Sequence, residues 1–238
     1  GKLDKNTNVQ FGEGGAGTFS DGKLNTLTKD KEHRGKKVFD IFVENGAPEE
    51  IKYINHPHIG TDILRNVVKN IRNKIISMGG EFRFNTTLTN INIENKKLKS
   101  IEINSNEIIE CNALILAIGH SARDTFYMLN KHLKLTPKPF AIGVRIEHPQ
   151  ELINVSQYGE SHKLLPPANY KLTYQTSKNR GVYSFCMCPG GFVVNASSEQ
   201  ERLVVNGMSN YKRDTTNANS ALVVTVSPKD FGEHPLSG

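Results

Sequence analysis

Residues 12–23 read Gly-Glu-Gly-Gly-Ala-Gly-Thr-Phe-Ser-Asp-Gly-Lys, and two phosphate-binding patterns overlap in them. Gly12, Gly14 and Gly17 fit G-x-G-x-x-G, the dinucleotide fingerprint. Gly17, Gly22 and Lys23 fit G-x-x-x-x-G-K, most of a nucleotide triphosphate loop. Context removes both. A dinucleotide fingerprint follows a buried first strand and opens a helix. Here Asn6-Thr7-Asn8-Val9-Gln10-Phe11 is too polar for a central strand, and Thr18-Phe19-Ser20-Asp21-Gly22 is poor in helix formers. A triphosphate loop needs Ser or Thr after its lysine to hold magnesium, and Lys23 is followed by Leu24. What survives is backbone chemistry. Five glycines within residues 12–22 let N–H groups approach a ligand closely. Thr18, Ser20 and Lys23 add donors, and Lys23 adds a positive charge. Such a loop suits a pyrophosphate or a flat polar ring. A plain glycine-rich surface loop fits the same spacing equally well.

Outward from this stretch, apolar periodicity sets the elements. Val38, Phe39, Phe42 and Val43 sit at helical spacing and Gly46 is a stop; Ala47-Pro48-Glu49-Glu50 is a fresh helix start. The strongest helix is expected over Thr61–Met78, with Ile63, Leu64, Val67, Val68, Ile71, Ile75 and Ile76 on one face and Gly79-Gly80 as its end. A short strand, EFRFNT (81–86), and three strand-like runs with tight turns follow, TLTNINIEN, KLKSIEIN and NEIIEC; the three runs form an antiparallel meander. Ala113–Ile118 is continuously apolar, the pattern of a strand buried on both faces of a parallel sheet, and it ends at Gly119-His120. A helix is expected over Arg123–Leu133. From Pro137 the chain turns mainly β. Ile142, Val144 and Ile146 share one face of KPFAIGVRIEHP, and YKLTYQT, GVYSFCMCPGG, GFVVNAS and ALVVTVSP are further strands. A domain boundary is expected near Thr136–Pro139, dividing the chain into 1–136 and 137–238.

Composition narrows the function classes. The chain has 238 residues, 37% hydrophobic, and a formal charge of +6. Its lysines (Lys2, Lys5, Lys29, Lys31, Lys36, Lys37, Lys96, Lys97, Lys99) are scattered among Asp, Glu and Asn, a solvated surface and not a nucleic-acid stripe. No run approaches a membrane span. Three cysteines, Cys111, Cys186 and Cys188, make no disulfide framework, so the reducing cytoplasm is expected. The chain opens on a glycine and stops at FGEHPLSG without a closing element, and reads as a piece of something longer.

Several blocks together resemble one family. NVQFGEGGAGTFSDGKLNT, HPHIGTDILRNVVKNIRNKIISMGGEFRFNT, ALILAIGHSARDTFYML, KPFAIGVRIEHPQ, GVYSFCMCPGGFVVNASSE and NGMSNYKRD look like segments of bacterial FAD-dependent dehydrogenases. These are described as NAD(FAD)-utilising dehydrogenases and are related to the glutathione-reductase-like flavoproteins. The resemblance covers essentially the whole chain. It implies a mixed α/β fold: part of a Rossmann-like FAD domain with a β-meander in 1–136, lacking its first βαβ unit, and a mainly β substrate-side domain in 137–238. It implies FAD as cofactor, with NAD(P)H as a candidate electron donor, and hydride or two-electron transfer on a small-molecule substrate that it leaves open. It implies that Gly12, Gly14, Gly15, Ala16 and Gly17, with Ser20 and Asp21, line the flavin or its pyrophosphate. Lys23 would neutralise a phosphate or sit near the flavin ring. Gly119, in an Ala117-Ile118-Gly119-His120 segment similar to the "ATG" turn of flavoproteins, would let the backbone pass close to the cofactor, with His120 beside cofactor or substrate. Without the first βαβ unit, this chain alone is expected to retain FAD weakly or not at all. A non-catalytic ligand-binding module with the same fold is the competing expectation.

The remaining candidates carry less. His56 and His58 lack a cluster of further metal ligands and fit a helix entry. Cys186 and Cys188, spaced C-x-C, share a strand face, but a disulfide closed over one residue is strained. Ordinary buried cysteines come first, and a substrate-side role second.

Overall fold

We describe a computed structural model of the chain, covering residues 3–7, 9–25 and 29–238. Lys2, Asn8 in the polar lead-in and Thr26 at the close of the first family-like block lie outside the described residues, as do residues 1, 27 and 28.

In chain order the elements are α1 (Gly15–Thr18), α2 (Arg34–Glu44), a 3-10 turn (Glu49–Lys52), α3 (Thr61–Ser77), β1 (Leu88–Glu94), β2 (Lys97–Ile103), β3 (Glu107–Glu110), α4 (Arg123–Leu129), β4 (Phe140–Pro149), α5 (Gln150–Tyr158), a second 3-10 turn (Gly159–Leu164), β5 (Thr173–Gln175), β6 (Gly181–Cys188), β7 (Gly191–Asn195), β8 (Val205–Ser209), β9 (Asn217–Val226) and α6 (Pro228–Phe231). The fold is mixed α/β. Contacts divide it into two compact units, Gly1–Glu81 with Ile142–Val224, and Phe82–Ala141 with Thr225–Gly238.

In the first unit the helices stand on one apolar cluster. Ala47, Ile51, Ile59 and Val67 are buried, and Leu24, Phe39, Phe42, Ile63 and Leu64 pack against them. α2 starts where Asp30 accepts the Arg34 and Gly35 amides at 2.9 and 2.6 Å, which satisfies donors that a helix start leaves unpaired. α3 carries Asp62 in its first turn and Lys74 in its last, the signs that its dipole favours. The strands form a four-stranded sheet, order β4–β9–β6–β5, and a β7–β8 hairpin. The β5–β6, β6–β9 and β7–β8 pairs are antiparallel.

The apolar row of β4 does share a face, as its alternation predicts. That face is exposed: Ile142, Val144 and Ile146 all point outward, and Arg145 between them is the half-buried one. On the other side Arg145 turns inward and donates to the Cys186 carbonyl at 3.2 Å and to Asn219 Oδ1 at 2.5 Å.

In the second unit the expected meander is present, with β1–β2 and β2–β3 antiparallel. Ile91, Met128 and Leu129 form its buried cluster. The buried parallel strand expected at Ala113–Ile118 is absent from the described residues. The segment has no regular structure and pairs in no sheet among the described residues, and Ile115 is 91% exposed. Only Leu114 and Ile118 pack, against the Ile91–Leu129 cluster. A run of apolar residues becomes a doubly buried strand only where other strands flank it and layers cover both faces. A Rossmann-like sheet is therefore not seen here. EFRFNT (81–86) likewise forms no strand, and Phe82 and Phe84 are exposed. The helix expected to Leu133 ends at Leu129.

Candidate functional site

The glycine stretch divides into an anchored end and an open end. At the anchored end, residues 21–24 run beside residues 57–60. The Leu24 amide donates to the Pro57 carbonyl at 2.9 Å, Ile59 to Gly22 at 3.1 Å and Gly60 to Asp21 at 3.1 Å. Lys23 and His58 make an antiparallel bridge. This ladder points the Asp21 side chain into the protein, where it is 0% exposed.

The Asp21 carboxylate accepts from Arg213 Nε at 2.9 Å and Nη2 at 2.6 Å, from Lys23 Nζ at 3.0 Å, and from the Ser209 hydroxyl at the end of β8. Burial pushes its pKa up. Arg213, Lys23 and Ser209 together outweigh burial and hold it at about 2. The bidentate guanidinium fork is the strongest geometry available to such a pair. Lys23 Nζ also donates to the Met187 carbonyl in β6. One buried carboxylate thus ties the glycine stretch to β8, to the turn after it and, through Lys23, to β6.

The same turn reaches the 50s. His58 stacks on Tyr211, ring centroids 5.3 Å apart, and its Nε2 donates to the Tyr211 carbonyl at 2.9 Å. Burial lowers the His58 pKa, so the neutral ring is favoured. The Tyr211 amide donates to Asp62 Oδ1 at 2.8 Å and its hydroxyl donates to Glu50. That carboxylate, ahead of burial, pushes the phenol up to about 12. His58 is a packing residue at the entry to α3, as its sequence position suggests. Gly60 (φ +80) and Gly190 (φ +46) allow these crossings, because a Cβ on either would overlap the backbone of Tyr211 or Arg213.

The open end is Gly12–Gly17. α1 is a single turn that stops at Thr18, where the poor helix formers begin. Its flanks are fixed: Glu13 pairs with Arg72 at 3.1 Å, Thr61 Oγ1 donates to the Thr18 carbonyl at 2.8 Å, and Asn206 donates to the Phe19 carbonyl at 2.9 Å. Ser20 folds back onto the stretch, donating to the Gly17 carbonyl at 2.7 Å and accepting from the Gly22 amide at 3.0 Å. Gly12, Gly14, Ala16 and Gly17 are exposed and Gly15 half-buried, and a Cβ at Gly12 or Gly17 would meet no atom within 4 Å.

The expected site residues therefore differ in what the structure does with them. Gly12, Gly14, Ala16 and Gly17 are exposed, while the half-buried Gly15 donates its amide to the Gly12 carbonyl at 3.2 Å and the Thr18 amide closes on the Gly14 carbonyl at 3.2 Å. Ser20 braces that backbone, and Asp21 and Lys23 are engaged inward. Gly119 and His120 belong to the second unit; Gly119 has φ +70, open space at its Cβ position, and His120 beside it is exposed. Among the described residues no group of three or more His, Cys, Asp or Glu could hold a metal ion, and no helix is long and apolar enough to cross a membrane. Arg213, Ser209, Tyr211 and Arg145 were not singled out from the sequence. The only available signal for three of them was their presence in NGMSNYKRD, a block too polar to read as a strand end.

Comparison with known proteins adds two findings. Residues 139–238 match the family model described as FAD-dependent protein, C-terminal domain-like. An uncharacterized protein of Clostridium beijerinckii is 59% identical over 243 residues, spanning 100% of this chain and 45% of its own length. The chain thus covers just under half of that relative.

Proposed function

We propose that the chain is part of an FAD-dependent oxidoreductase. The observation that carries this reading is the match of residues 139–238 to an FAD-dependent C-terminal domain model. The structure of the glycine stretch is compatible with that cofactor. Gly12 and Gly17 leave backbone uncovered where a planar or phosphate-bearing group could lie against it, and the bracing at Thr18, Phe19 and Ser20 holds that backbone still. FAD, when bound, supplies the hydride or two-electron chemistry. Gly12, Gly14, Ala16 and Gly17 would hold it through exposed main chain, with Gly15 shaping the turn through its amide bond to the Gly12 carbonyl at 3.2 Å. Asp21 and Lys23 would act at one remove. Their ion pair fixes the loop, and Lys23 adds positive charge to its base.

In this reading residues 1–136 serve the cofactor and residues 137–238 the substrate. The substrate is a small molecule, NAD(P)H is the candidate donor, and nucleic acid and membrane are not partners. Free thiols at Cys111, Cys186 and Cys188 support a reducing, cytoplasmic setting. The parent-length protein should purify with flavin absorbance or take up added FAD, and should reduce it with NADH or NADPH. Purification without flavin together with failure to take up added FAD would overturn the proposal and leave a non-catalytic binding module.

A further inference from the structure

One face of the four-stranded sheet carries an uncovered apolar surface across all its strands. The pairing fixes its rows. Tyr174 of β5 lies beside Val182 of β6, and Val182 beside Val224 of β9; in the next row Ser184 lies beside Leu222. Cross-strand partners share a face, and so do residues two apart along a strand. Leu172, two residues before Tyr174, extends the Ser184 row, its carbonyl accepting the Ser184 amide at 2.9 Å. β4, next to β9, joins the same face. Arg145 reaches Asn219 Oδ1, so those two side chains lie on the opposite face. Val144 and Leu222, each an odd number of positions from them, therefore lie together on this one.

Ile142, Val144, Ile146, Leu222, Leu172 and Tyr174 are all exposed on it, Val144 at 64% and Tyr174 at 69%, and Val182 and Val224 are half-buried. The polar side chain in these rows, Ser184, turns its hydroxyl to the backbone, where it accepts the Leu172 amide at 2.8 Å. An apolar sheet face is ordinarily buried under a second layer about 10 Å above it. A contiguous apolar patch left open marks a surface that another element covers.

We propose that this face is an internal interface of the parent-length protein, covered by an apolar layer from the part of that chain outside residues 1–238. Two observations select this occupant. The first is length: the 59%-identical relative has more than half of its chain outside the matched region, since this chain spans 45% of it. The second is size. Strands about 4.8 Å apart and the four-residue reach from Ile142 to Ile146 make a face about 14 Å across and about 14 Å along, or about 200 Å² in projection. A stable interface between separate molecules buries about 800 Å² on each partner. Even doubled for side-chain relief, this face falls short of what a second copy would need. A layer from the same chain is already tethered beside it, loses far less freedom on docking, and is held by a smaller contact. The inference rests on the reading of this chain as part of a longer one, and not on flavin binding.

The test uses the parent-length protein without added flavin, so it reads the interface whether or not FAD binds. In hydroxyl-radical footprinting of the unmodified protein, Tyr174 should be oxidised about tenfold more slowly than a tyrosine in a flexible peptide. A rate near that of the peptide, as 69% exposure would give, overturns the proposal. Val144→Cys carrying a benzophenone then identifies the cover. On irradiation of mixed heavy- and light-isotope copies, cross-links should run within one copy, from residue 144 to peptides outside residues 1–238. Cross-links between heavy and light copies would make the occupant a second copy and overturn the proposal. Cross-links confined to residues 1–238 of one copy overturn it as well. Tyr174→Cys, on the opposite edge strand, repeats the reading independently, and the footprint of the unmodified protein stands if either variant fails to fold.

Discussion

The two ends of the glycine stretch look alike in sequence and are opposites in structure. Gly12–Gly17 is exposed backbone with nothing within 4 Å of the Cβ positions at Gly12 and Gly17. Four residues after Gly17, Asp21 is sealed in a cluster of Arg213, Lys23 and Ser209. Both ends are polar and rich in glycine, so composition does not separate them. Partners do. A carboxylate that leaves water needs cations and hydrogen bonds arranged around it, and besides the neighbouring Lys23 these come from Ser209 and Arg213, distant in the chain. The anchored end is therefore structure, and the open end is the exposed part of the stretch.

Breaking the anchor should have the largest effect. Asp21→Ala leaves Arg213 and Lys23 around an empty site, and removal of one partner from a buried ion pair costs about 3–5 kcal/mol. Urea unfolding should report a loss in that range. Gly190→Ala should follow, at about 3 kcal/mol, since its Cβ meets the rigid Arg213 carbonyl at a φ of +46. If Gly190→Ala were neutral, the close crossing beneath the anchor would not exist.

Acid should reproduce part of the first effect without mutation. The Asp21 pKa is about 2 when folded against 3.8 ordinarily. A depressed carboxylate stabilises the fold fully above its unfolded pKa, and this contribution is lost as pH falls through the folded pKa. The difference amounts to about 2 kcal/mol. The stability gap between the unmodified chain and Asp21→Asn should therefore be constant above about pH 4 and shrink towards pH 2. A gap independent of pH would mean that Asp21 is not charged in its cluster.

How much could be read beforehand follows the same division between local and distant causes. α3 was legible because Ile63, Leu64, Val67 and Ile71 repeat at helical spacing and pack on one cluster. The meander was legible because Asn95-Lys96 and Asn104-Ser105 turn it locally, all four at positive φ. Ala113–Ile118 was misread because an apolar run states only what a strand would need, not whether flanking strands exist. In β4 the alternation was legible, but which face turns inward was not. Arg145 goes inward because the Cys186 carbonyl and Asn219 await it there, and nothing near residue 145 announces either. α5 was missed altogether. Gln150 caps no obvious pattern, yet it is buried, donating to the Ala168 carbonyl and accepting from the Gly190 amide at 2.7 Å. The anchor itself was half visible: Asp21 and Lys23 were flagged, while Arg213 and Ser209 sit in a block without periodicity.

The open end should show the smallest structural effect and the sharpest functional one. Gly17 lies inside α1, has no positive φ, and has free space where a Cβ would go. Gly17→Ala should therefore leave the fold unchanged or stabilise it by about 0.5–1 kcal/mol, through the lower entropy of the unfolded chain. If the uncovered backbone is where FAD lies, the added methyl occupies that contact, and the parent-length variant should bind flavin about tenfold more weakly or worse, as followed by flavin fluorescence. Unchanged affinity beside unchanged stability would show the open end to be a surface loop. The opposite pattern at Gly190, where stability falls first, separates a glycine kept for packing from one kept for a ligand.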